Sequence, residues 1–85
     1  MEPWRIQWAR NLRAARKAKG WTQPATSEQT PGVSAKQVSY YEMTGRIPIE
    51  HLVPLARALN VPVEELFPLP DGDPIDADTD GNEAA

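Results

Sequence analysis

The sequence predicts an all-α fold of five helices followed by an acidic tail. Three observations carry this expectation. Large apolar residues recur at three- and four-residue spacing through residues 4–67, the interval that puts them on one side of a helix. No stretch shows the alternation of apolar and polar residues that a half-buried strand needs. Each helical run also ends at Gly, Pro or Asn, residues that stop or cap helices.

The first helix is expected over residues 3–19. Pro3 is tolerated in a first turn, where its missing N–H is no loss. Trp4, Trp8, Leu12 and Ala15 share one face, and the arginines lie mostly on the others. Gly20 is placed to end the helix in a left-handed cap. At this period the three tryptophans, Trp21 included, read as core anchors rather than as a stacking surface.

Thr22 is a good N-cap for a short second helix opening at Gln23-Pro24-Ala25. That helix is poorly written, because Thr22 to Thr30 contains only Ala25 and Pro24 as apolar residues, and Thr26 and Ser27 are weak helix formers. Pro31-Gly32 breaks the chain, and Ser34 restarts it as the N-cap of a third helix over residues 35–43. Val38 and Tyr41 form its inward face, and Tyr40 points outward. Thr44 to Pro48 reads as a loop.

A fourth helix is expected from about residue 50 to Leu59, with Leu52, Leu55, Ala56 and Leu59 inward. Pro54 requires that this helix start late enough to hold it in the first turn. Asn60 is the expected C-cap, and Pro62 can start a very short fifth helix carrying Val63, Leu66 and Phe67. His51 is read as an ordinary surface residue.

Composition narrows the function. The chain has 85 residues, 40% hydrophobic and 25% charged, which bounds it to one small domain and a tail. It has no cysteine, which removes disulfides, thiolate metal sites and cysteine nucleophiles. One histidine without neighbouring ligands does not make a zinc site, so no metal and no cofactor is expected. No nucleophile–base pair, paired carboxylates or phosphate-cradling glycine loop is visible, so an enzyme is not expected. No apolar run approaches the roughly 20 residues that span a bilayer, and the opening residues lack a secretory pattern. The expectation is a cytoplasmic protein without a membrane partner.

The net charge of −3 hides a segregation. Residues 71–85 hold six acids and no base, leaving nine bases against six acids in residues 1–70, a formal +3. Six of the nine bases lie between Arg5 and Lys19. A mildly basic body permits a polyanionic partner that the overall charge would seem to forbid. The expected division is therefore a folded domain over residues 1–70 and a disordered acidic tail over residues 71–85.

Two short helices joined by a tight turn containing glycine, the second capped by serine, form a helix-turn-helix pattern. Residues 12–23, LRAARKAKGWTQ, resemble the first-helix signature of the lambda-repressor-like, Cro-type helix-turn-helix family. Residues 32–42, GVSAKQVSYYE, are similar to its recognition segment, and residues 52–67, LVPLARALNVPVEELF, to its fourth and fifth helices. The resemblance covers residues 8–67 and implies a compact five-helix DNA-binding domain of the kind found mainly in bacterial and phage regulators.

The resemblance also implies roles. Gln23 matches a phosphate-contacting position. Ala35, Lys36 and Tyr40 match base-facing positions of the recognition helix, which begins behind Ser34, with Gln37 and Ser39 near the strand backbones. Lys36 suits guanine O6 or N7, and the Ala35 methyl suits a thymine methyl. Thr44 and Arg46 lie in a loop that approaches phosphate. Arg16 and Glu42 match a structural ion pair joining the first helix to the third.

The chain departs from the family between Gln23 and Gly32, where it is one residue longer than usual. Thr26-Ser27 or their neighbours stand where a leucine and an alanine normally seat the second helix. A distorted, shifted or shortened second helix is therefore expected. The partners implied are double-stranded DNA and a second copy of the chain, with Val63, Phe67 and Leu69 as the candidate dimer surface. A second possible reading is an antitoxin-like or adaptor module whose acidic tail docks on a basic protein.

Overall fold

The computed structural model describes residues 3–69. The expectations for the tail, and the boundary at residue 70, lie outside the described residues. Five helices follow one another: α1 (Pro3–Ala18), α2 (Gln23–Glu28), α3 (Ala35–Thr44), α4 (Ile49–Leu59) and α5 (Val63–Leu66). No strand occurs among the described residues.

Helix ends follow local chemistry. Gly20, at φ 74°, turns the chain out of α1. Thr22 caps α2 by accepting the Ala25 N–H at 3.1 Å, and Ser34 caps α3 in the same way. Asn60 ends α4 in the left-handed region at φ 59°. Its carboxamide side chain makes that conformation tolerable without glycine.

One α-helical expectation is corrected. Pro54 is the sixth residue of α4, in its second turn, because the helix begins at Ile49 rather than late enough to hold the proline in its first turn. The ring removes the N–H that would donate to the Glu50 carbonyl. Glu50 lies on the exposed side of the helix, where water can serve that carbonyl instead.

The core gathers where α1, α3, α4 and α5 meet. Leu12, Val38 and Leu55 are fully buried, with Trp8, Tyr41, Leu59, Leu66 and Phe67 around them. Each fully buried leucine contributes on the order of 2 kcal/mol by leaving water. The tryptophans behave as anchors. Trp8 packs its ring 5.5 Å from that of Phe67 and donates its indole N–H to the Pro68 carbonyl at 2.6 Å. Trp4 stands edge-on to it at 5.0 Å. Asn11 donates to the Leu66 carbonyl at 3.0 Å, so α1 holds the end of α5 by both apolar and polar contacts.

Two further readings change with the structure. Phe67 is 3% exposed and is therefore a core residue, not part of an open dimer surface. His51 is half-buried, with Nδ1 2.7 Å from the Tyr41 hydroxyl, so it bridges α4 to α3 rather than standing in solvent.

Candidate nucleic-acid interface

α2 forms despite its composition. Thr26 and Thr30 are fully buried, and their methyl groups take the place of larger apolar side chains. Their hydroxyls are satisfied locally, Thr26 donating to the Thr22 carbonyl at 3.0 Å and Thr30 to the Thr26 carbonyl at 2.8 Å. Such bonding back along the helix removes the cost of an orphaned buried hydroxyl. Ser27 donates to the Val33 carbonyl at 2.7 Å, tying α2 to the turn. α2 is thus short, at six residues, and the connection beyond it is absorbed where Gly32 takes φ 87°.

A nearly buried ion pair fixes how α2 and α3 sit on α1. Arg16 approaches Glu42 through Nε at 2.6 Å and through Nη2 at 3.1 Å, with side chains 11% and 5% exposed. Arg16 Nη1 also donates to the Trp21 carbonyl at 2.8 Å. Gln23 completes the cluster by donating Nε2 to Glu42 Oε1 at 3.2 Å. The carboxylate therefore links α1, the first residue of α2 and the end of α3, and Arg16 ties in the turn after α1.

α3 carries the remaining residues. Val38 and Tyr41 face the core. Lys36, Tyr40 and Met43 recur at i, i+4 and i+7, so they form one outward stripe; all three are exposed. Ala35 and Ser39 flank it, half-buried. Ser34 and Gln37 form a capping box, Ser34 Oγ accepting the Gln37 N–H at 3.1 Å and Gln37 Oε1 accepting the Ser34 N–H at 2.8 Å. With its carbonyl so engaged, Gln37 has its amide NH₂, a pure donor, left over from the capping box. The amides of Ala35 and Lys36, in the first turn, have no intrahelical acceptor.

The loop after α3 is shaped from within. Thr44 donates to the Tyr40 carbonyl at 2.8 Å and accepts the Arg46 N–H at 3.1 Å. Its hydroxyl is thereby engaged inside the protein, while Arg46 is exposed. Gly45 takes φ 69°, and a Cβ there would overlap the Arg5 carbonyl oxygen. α1 and the end of α3 touch backbone to backbone at this point.

Sequence reasoning missed Met43, although counting seven residues on from Lys36 finds it. It also missed the approach of Gly45 to Arg5 and the His51–Tyr41 contact, for which the local sequence carries no signal. Among the described residues no group of acidic, His or Cys side chains is arranged to hold a metal ion. No described helix is long and apolar enough to cross a membrane. The arrangement offers a helix with a cationic and aromatic outer stripe and open N-terminal amides, braced by a second helix. A family model described as helix-turn-helix matches residues 12–66, more than half of the chain. No curated protein and no solved structure gives a match.

Proposed function

This chain belongs to the helix-turn-helix family of lambda-repressor/Cro type, a DNA-binding regulatory family, and from that premise we propose that it is a repressor reading a short operator through α3. The observation that carries this reading is the exposed stripe of Lys36 and Tyr40 on the face of α3 opposite its buried Val38 and Tyr41. An α-helix fits the major groove, and side chains of its leading turns reach base edges there. In this reading Lys36 donates to guanine, Ala35 touches a thymine methyl, and Tyr40 adds contact area. Gln23, Gln37, Ser39 and Arg46 lie along the strand backbones, Thr44 shapes the loop that carries Arg46 through a hydroxyl already bonded within the protein, and Ser34 orients the helix through its cap. Two copies on a pseudo-palindromic site supply the affinity that one small module lacks, and the protein acts in the cytoplasm.

The test is fluorescence anisotropy with duplexes taken from the DNA flanking the gene, against scrambled duplexes of equal length. Lys36→Ala should lose about 1–3 kcal/mol of preference for the operator while retaining non-specific binding. Unchanged preference would remove Lys36 from base reading. No DNA affinity at modest salt, with a basic protein that binds the acidic residues 71–85, would favour the adaptor reading instead.

A further inference from the structure

The outward face of α4 carries apolar surface that the fold leaves uncovered. Ile49 is 75% exposed and Val53 44%. They form an i, i+4 pair on the side of the helix away from the buried Leu55 and Leu59. Shallow hollows flank the Val53 ridge on both sides. One, of about 370 Å³, lies between α4 and the start of α5 over Ala56, Asn60, Val61 and Val63. The other, of about 430 Å³, lies between Pro54 and Ala58 on one wall and Gln29 and Pro31 on the other.

Charge on the same face is arranged for self-pairing. Glu50 and Arg57 are both exposed and stand seven residues apart, about 10 Å along the axis. An antiparallel contact between two α4 helices, with its two-fold axis beside Val53 and Pro54, sets Glu50 of each copy level with Arg57 of the other. A parallel contact would set like charge against like. In the antiparallel register Ile49 stands level with the gap between Ala56 and Asn60 of the second copy, where the first hollow opens. The small, buried Ala56 leaves room for it. Knob, hollow and both charges belong to one surface, the condition for an isologous dimer.

We propose that two copies of this chain pair antiparallel through α4, Ile49 of each filling the hollow between α4 and α5 of the other. This names the surface for the dimer inferred above and rests on that reading. Self-association is measured without DNA, so its failure leaves operator reading by α3 standing.

Because the chain has no cysteine, single substitutions report on contact directly. Full-length Val53→Cys should form a disulfide-linked dimer under mild oxidation, while Ile6→Cys, on the exposed side of α1, should not. Sedimentation velocity should show a dimer for the unaltered chain and a monomer for Val53→Asp, with the same far-UV circular dichroism. Glu50→Arg or Arg57→Glu should each weaken the dimer about tenfold, and the double exchange should restore it. A chain that stays monomeric at every concentration, a Val53→Asp variant that stays dimeric, or equal cross-linking at positions 6 and 53 would overturn the proposal.

Discussion

Glu42 accepts from Arg16 at 2.6 and 3.1 Å and from Gln23 at 3.2 Å while its side chain is only 5% exposed. A carboxylate this enclosed depends on its partners, and removing one strands the other. Arg16→Met should destabilise the fold by about 3–5 kcal/mol in urea unfolding, and Arg16→Met with Glu42→Leu by less than the sum of the two single changes. Additive losses would mean that the two residues act independently. Tyr41 makes a second prediction. Burial first, then the negative charges of Glu50 and of an ionised Tyr40, raise its hydroxyl above the ordinary 10.0. The folded state thus holds the phenolic proton more tightly than the unfolded state. That contribution is complete below pH 10 and is lost as pH rises through the folded value. Tyr41→Phe should lower stability at neutral pH by loss of the His51 contact but flatten its decline above pH 10, as read from melting temperatures across that range.

At the scale of elements, α2 separates local preference from tertiary support. Six residues of this composition do not hold a helix alone in water. The cap at Thr22 and the methyls of Thr26 and Thr30 make it stable against α3. Since the Thr22 carbonyl also accepts the Thr26 N–H at 3.0 Å, replacing the hydroxyl orphans nothing. Thr26→Val should therefore unfold within about 1 kcal/mol of the unaltered protein, whereas Thr26→Ser, which deletes a buried methyl, should cost about 1 kcal/mol. The reverse order in chemical denaturation would show that the hydroxyl, not the methyl, seats the helix. α4 teaches the complementary lesson. Its inward face was legible from Leu52, Leu55, Ala56 and Leu59. The accommodation of Pro54 was not, because it depends on which side of the helix the unpaired carbonyl meets water.

For the molecule as a whole, the charge split is the feature with a consequence for binding. The acids of residues 71–85 and the phosphates of DNA are both attracted to a body of formal charge +3. Deleting residues 71–85 should tighten DNA binding, most at low salt, where long-range charge is least screened. Anisotropy titrations at two ionic strengths read this directly, and identical affinities for the two chains would leave the tail without a part in binding. The deletion removes none of the five helices described over residues 3–69.

The order of the five helices, their caps at Thr22, Ser34 and Asn60, the breaks at Gly20 and Gly32, and the outward position of Lys36 and Tyr40 were determined by the sequence alone. Each depends on interactions within about one helical turn, which spacing and residue type encode directly. Only the tertiary structure decided that Thr26 and Thr30 belong to the interior, that His51 meets Tyr41, that Phe67 is sealed against Trp8, and that Gly45 lies on the backbone of Arg5. These contacts bring together groups whose burial is set by neighbouring helices, and in two of them residues forty or more positions apart. No local pattern can report the close packing that such distant segments reach only when the whole domain has closed.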